Sequence, residues 1–217
     1  VGRVKIAART SGTLAPPATM LDEFAPAVIE VAKGLAEWAI ETFAAELSPL
    51  FNERHTHLRE AKLGALWTNV PNISKQARLI GQAEIPRPPV TGGRWARARW
   101  EHQLVGWFGE IPDFLLTLDA GLVAELDDMT FCSVIEHELY HCGQALDDFG
   151  APKFTKEGKP VFGIVAHDVE EFVGIVERYG AGAAAGKTVD LVRAARAEPL
   201  IGRAAASFAC GTCAQAT

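Results

Sequence analysis

Apolar side chains set the first outline of the chain. Phe24, Val28, Val31, Leu35, Ala39 and Phe43 recur at three- and four-residue steps, the spacing of one helix face, which predicts a helix from about Leu21 to Leu47. Asp22 or its neighbourhood can cap its start, and Ser48-Pro49 ends it or begins a new helix with proline in first position. A shorter helical stretch is expected to about Lys62. Strands are predicted over Ala65–Val70, stopped by Pro71, and over Ala77–Ile85, stopped by Pro86-Arg87-Pro88-Pro89. Trp95–Phe108 satisfies both periods: Trp100, Leu104, Trp107 and Phe108 fit a helix, while Ala96, Ala98, Trp100, His102 and Leu104 alternate like a strand.

Asp113–Asp119 reads as a strand and Gly121–Leu126 as a short helix after it. The central helix follows, from about Asp128 to Asp147, with Cys132, Ile135, Leu139, Cys142 and Leu146 forming one seam. Gly150, Pro152, Gly158, Pro160 and Gly163 make residues 150–166 a long loop. Asp168–Tyr179 is predicted helical and stopped by Gly180. An Ala/Gly joint runs to Gly186, and Val189–Ala197 forms a last helix. Helices, then short strands, then helices again indicate the α+β class. One domain over 20–200 is expected, with a flexible arm at 1–19 and a loose tail at 201–217. No internal repeat is visible.

Composition narrows the class. The chain has 217 residues, 48% hydrophobic and 22% charged, ordinary for a folded domain and unlike a disordered chain. No apolar run reaches the ~18 residues of a membrane span, so no membrane association is expected. Val1–Lys5 carries positive charge with no apolar stretch behind it, so no secretory signal is expected there. Four cysteines, Cys132, Cys142, Cys210 and Cys213, are too few and too uneven for a disulfide scaffold, which favours a reducing, cytoplasmic setting.

The formal charge of −6 argues against a protein that coats nucleic acid. Its distribution is uneven. From Glu101 to Ala151 there is no Lys or Arg but there are eleven acids, while Pro86–Trp100 carries Arg87, Arg94, Arg97 and Arg99 and no acid. An acidic face that suits a basic substrate is one reading; solvated faces of an acidic protein are the other.

The chemistry concentrates in His137-Glu138-Leu139-Tyr140-His141. On a helix, positions i and i+4 project from one face, so both imidazoles can hold one metal ion. The intervening Glu138 can take a proton from water activated by that ion. At about 100° per residue, His137 and His141 lie well away from the Leu139 seam, so the seam can face a core while the histidines face a cleft. A catalytic zinc usually has three protein ligands and one open position. The compact spacing that would put a third histidine at position 147 is excluded, because Asp147 stands there. His167-Asp168-Val169-Glu170-Glu171-Phe172 is the best source of the third ligand: His167 itself, with Glu170 and Glu171 as rivals, and with these acids or Asp168 as groups that orient a liganding histidine.

The order strand (Asp-Phe-Leu-Leu-Thr-Leu), short helix, Ile-Glu-His-Glu-Leu-Tyr-His, loop with Lys156-Glu157-Gly158-Lys159-Pro160, Ala-His-Asp-Val-Glu-Glu-Phe, Glu-Arg-Tyr-Gly resembles the metallopeptidases of phages and prophages. These are distant relatives of the SprT/Spartan-type zincins. The resemblance covers about Asp113–Gly180. It implies a minimal zincin, a small sheet packed on an active-site helix with a second metal-site helix, bound Zn2+ and a protein or peptide substrate. It favours His167 as third ligand. The chain departs from SprT in its longer loop and in reading His-Asp-Val-Glu-Glu-Phe.

Weaker candidates remain. Tyr179 could donate to an oxyanion in the tetrahedral intermediate or simply pack in the core. His55 and His57 read as surface residues. Cys210-Gly211-Thr212-Cys213 is half of a zinc-ribbon signature and reads as a tail with two free thiols or as a site completed by a partner. Arg94, Arg97 and Arg99 interleave with Trp95 and Trp100, which could meet single-stranded nucleic acid or be a solvated helix or strand. The expected activity is zinc-dependent peptide hydrolysis with Glu138 as base. The alternative is a non-catalytic regulatory or DNA-associated protein that uses the same metal site structurally.

Overall fold

The computed structural model describes residues 12, 14–74, 77–169, 176–178, 180, 181, 187–204 and 209–212. It is a mixed α+β fold built on one sheet with strand order β1-β2-β5-β4-β3: β1 Ile29–Val31, β2 Leu63–Thr68, β3 Ile73–Ser74, β4 Ala77–Glu84 and β5 Phe114–Asp119. β2 and β5 run parallel; β1, β4 and β3 join antiparallel. A late strand, β8 Ala209–Cys210, pairs parallel with β4.

Period-2 alternation decides what covers each face. Ala65 and Trp67 of β2, with Phe114, Leu116 and Leu118 of β5, enter the main core. They meet Leu35, Ala39 and Phe43 of α1 (Leu35–Phe43), Ala120 and Val123 of α3 (Ala120–Ala124) and Phe131, Ile135 and Leu139 of α4 (Asp128–His141) there. The alternate residues Leu66 and Leu115 point the other way, onto α2 (Gly93–Phe108). That settles the ambiguous 95–108 segment as a helix, because Trp100, Leu104, Trp107 and Phe108 form its sheet-facing side.

The first predicted helix is shorter than expected. Only Leu35–Phe43 is helical; Ile29–Val31 is an edge strand paired with β2. Pro26 disfavours helical backbone before it, and Gly34 takes a left-handed turn (φ 76°) into α1. Asn69 stabilises the extended entry, accepting from Val28 N at 2.8 Å and donating to Pro26 O at 2.8 Å. Before β1, Leu14 and Met20 are buried in the main core, while most of the expected arm at 1–19 lies outside the described residues.

The central helix also ends early. It starts on Asp127, whose carboxylate accepts from Thr130 N, and it stops at His141 rather than Asp147. Cys142–Gln144 instead becomes β6, antiparallel to β7 Phe162–Ile164. The expected seam is buried at Cys132, Ile135, Leu139 and Cys142, but Leu146, past the helix end, is 62% exposed. The 150–166 loop is a folded connection held by backbone bonds between Ala145, Lys153 and Val161. A 3-10 helix, Glu53–Glu60, braces the far side of α4. His55 is buried there, which corrects its reading as a surface residue: its ring meets Tyr140 and its Nε2 lies 3.6 Å from Glu136. Asn52 donates to Glu136 at 2.7 Å, and His57 Nε2 donates to Cys142 O at 2.7 Å.

A later helix spans Thr188–Arg196. No helix among the described residues is long and apolar enough to cross a membrane. The 201–217 stretch was expected to be loose. In its described part Ala209–Cys210 is a strand, and Thr212 is buried against Ala83 of β4.

Candidate metal centre

α4 presents His137 and His141 one turn apart, and the backbone after β7 supplies His167. The three imidazole rings form a near-equilateral triangle, with centroids 5.0, 5.1 and 5.1 Å apart. His137 Nε2 and His167 Nε2 face each other at 3.2 Å. Two nitrogens bonded to one tetrahedral ion at zinc–nitrogen lengths stand about 3.3 Å apart. Two such lone pairs repel unless a proton or a cation lies between them, so this contact suits a shared ion.

His141 is 2% exposed and anchored on both sides by Val165. Val165 N donates to His141 O at 2.9 Å, and His141 Nδ1 donates to Val165 O at 2.6 Å. With its proton committed at Nδ1, the neutral ring presents its Nε2 lone pair to a metal, the usual way a backbone carbonyl orients a liganding histidine. Gly143 permits the arrangement: a Cβ there would come within 2.2 Å of the Val165 side chain.

Glu138 points from the same helix toward β4 and is fully buried. Gly81 makes its space, since a Cβ at that position would lie 3.0 Å from Glu138 Oε1. Oε2 accepts from Thr212 Oγ1 at 3.3 Å. Among the described residues Oε1 has no hydrogen-bond partner. Burial, and next the Cys210 sulfur, push this carboxyl up to about 8, against the pull of His141 and Thr212. For His141, burial lowers the pKa; hydrogen bonding to Cys210 and to Val165 O, with the nearby Cys210 and Glu138 charges, outweighs it and the net shift is upward. A bound cation beside both groups would favour the carboxylate and the neutral ring.

Cys210 was the residue the sequence did not assign. Its Sγ lies 3.4 Å from His141 Nε2 and 3.7 Å from Glu138 Oε2. The ligand atoms of His137, His141 and Cys210 all lie within 4.8 Å of one another, a group that does not include His167. His167 joins through its contact with His137. Nothing in the spacing between residues 141 and 210 announces this; only the pairing of β8 with β4 brings the tail there.

The other expected site residues fall elsewhere. Asp168 is exposed and ion-paired with Lys187. Glu170, Glu171 and Tyr179 lie outside the described residues. Arg94, Trp95, Arg97 and Arg99 stand on the exposed side of α2, while Trp100 packs toward the sheet.

The donor set fits a metal such as zinc: two or three imidazoles, a thiol and a buried carboxylate with one oxygen unpartnered among the described residues. Comparison with curated proteins and with solved structures found no significant match. A family model described as "Putative phage metallopeptidase" matches residues 36–196, three quarters of the sequence, from α1 through both histidine segments to the last helix. The match ends before β8 and Cys210. By this match across most of its length, the chain belongs to that phage metallopeptidase family.

Proposed function

We propose that this protein is a zinc-dependent peptidase of the minimal zincin type, with His137, His141 and His167 as metal ligands and Glu138 as general base. The observation that carries this reading is the convergence of three imidazoles beside a buried, half-satisfied carboxylate. When bound, zinc lowers the pKa of a coordinated water to about 7 and polarises a carbonyl. The chain's own part is to hold and move the proton. Glu138 Oε1, unpartnered among the described residues, is the acceptor for it, and Thr212 on Oε2 fixes the carboxylate's rotation. The same carboxyl then returns the proton to the leaving amine. Val165 holds the His141 ring throughout. Tyr179 is an additional candidate for oxyanion donation, and Asp168, Glu170 and Glu171 for orienting the histidines. The exposed acids just past the active-site helix, Asp147 and Asp148, support a preference for basic peptide segments; cleavage mapping that returned acidic or apolar sites would end that part of the reading.

Metal analysis with a peptide-library digest tests the reading. Wild type should carry about one zinc per chain and His137→Ala should lose it. Glu138→Gln should keep the metal and lose about 10²–10⁴-fold in cleavage rate. Zinc retained in His137→Ala, or cleavage unchanged in Glu138→Gln, would sink it. A second reading, a closed structural metal site, is favoured by one observation, the approach of Cys210 to His141 Nε2.

A further inference from the structure

We propose that Cys210 is a displaceable metal ligand: its thiolate closes the site in this conformation, and release of the C-terminal strand opens it. The inference rests on the metal reading above and adds the regulation of that site. Three observations carry it. The first is distance. Nitrogen and sulfur bonded to one tetrahedral zinc stand about 3.5 Å apart, and Cys210 Sγ lies 3.4 Å from His141 Nε2. The second is the company it keeps. His137 and His141 belong to the same group of ligand atoms, and the buried Glu138 Oε1 beside them lacks a partner among the described residues. The third is how the sulfur is delivered. β8 adds to the edge of β4. Gly211 follows, where a Cβ would strike Gln82 at 2.8 Å, so only glycine lets the chain lie this close. Thr212 then locks the register, accepting from Ala83 N at 2.7 Å and sitting within 2.9 Å of Ala83 O.

The same delivery explains why the ligand should be displaceable. Among the described residues the strand is two residues long, and its last anchor there, Thr212, shares its hydroxyl between Ala83 and Glu138. Cys210 and Thr212 together cover the Glu138 carboxylate. A peptide carbonyl that reaches the metal and Glu138 must enter that space, so the tail and an extended substrate compete for it. Opening would exchange the thiolate for water: the sulfur–metal bond would break, a water oxygen would take its place, the released thiolate would take a proton from solvent, and no oxidant is needed.

The test uses the full chain loaded with cobalt(II) in place of zinc. Wild type should show the near-ultraviolet charge-transfer absorption of a cobalt thiolate. Cys210→Ser should lose that band while keeping the metal. Gly211→Val should lose it too, since the tail can no longer dock although the thiol remains. Iodoacetamide should alkylate Cys210, mapped by mass spectrometry, with the band vanishing and the metal staying bound. A wild-type spectrum with no thiolate band would overturn the ligand assignment. Metal lost together with the band on alkylation would overturn displaceability and make Cys210 a structural ligand. In the zinc form, Cys210→Ser should cleave a peptide library about tenfold faster than wild type, the change produced by lifting ~1.4 kcal/mol of competing ligation. Equal rates would remove the inhibitory role. If neither protein cleaves while the cobalt band behaves as expected, it is the peptidase reading that fails and not the ligation.

Discussion

Two carboxylates at β4 differ in their burial and in the work they do. Glu138 is fully enclosed between α4 and β4. Glu84, at the end of β4, is partly buried, and burial raises its pKa against the counter-effect of a hydrogen bond from Gln82. Because the folded value is raised, the stability Glu84 contributes is complete below its unfolded pKa of about 4.3 and is lost as pH rises through the folded value. Glu84→Gln should therefore melt slightly higher than wild type at pH 7 and the same at about pH 4. Thermal melts at both pH values check this, and a variant that is less stable at pH 7 would contradict it. Cys142 is a contrasting residue: burial, then the nearby Glu138, push its thiol up, so this cysteine stays protonated and unreactive in the helix-end packing.

At the scale of elements, α4 is held by its start, its far side and its end. Asp127 caps the first turn through Thr130 N and also reaches the Thr130 hydroxyl. Asp127→Ala should cost ~1 kcal/mol of stability, a cap's ordinary contribution, measured by urea denaturation with an unchanged slope. On the far side, Asn52 and His55 engage Glu136 and Tyr140. At the end, Val165 clamps His141 while His57 holds Cys142 O. Between α4 and β4 the fit depends on Gly81. Gly81→Ala would drive a methyl group to 3.0 Å of Glu138 Oε1 and 2.9 Å of Leu118, both packed side chains. Cleavage should fall while zinc content stays at the wild-type level; loss of zinc with retained rate per metal would instead mean that the strain reached the histidines.

At the scale of the molecule, the candidate metal centre joins α4, the segment after β7 and β8, three pieces far apart in sequence. An ion bound there only in the folded state stabilises it by mass action, ~2.7 kcal/mol at a free concentration one hundred times Kd. Chelator treatment should therefore lower the melting temperature, and zinc should restore it. His137→Ala should melt like the chelated wild type and respond to neither. A melting temperature indifferent to chelator in the wild type would show that the ion does not tie these segments together.

The sequence by itself determined the parts whose chemistry is local. Strands β2, β4 and β5 follow from apolar runs bounded by proline or acid, and α4 with its two histidines from spacing alone. The neighbouring-residue arguments failed where a distant partner set the backbone. Val28 and Val31 fit a helix period, yet β2 offered Ile29–Val31 an edge to pair with. The Cys132–Leu146 seam continued past His141, yet β7 drew Cys142 into a strand. His55 looked like a surface residue because its partners, Glu136 and Tyr140, stand some eighty residues away. Tertiary structure alone decided what closes the site. Whether a thiol at position 210 meets an imidazole at position 141 depends on strand pairing between β8 and β4, a backbone contact between distant segments that no local residue pattern specifies.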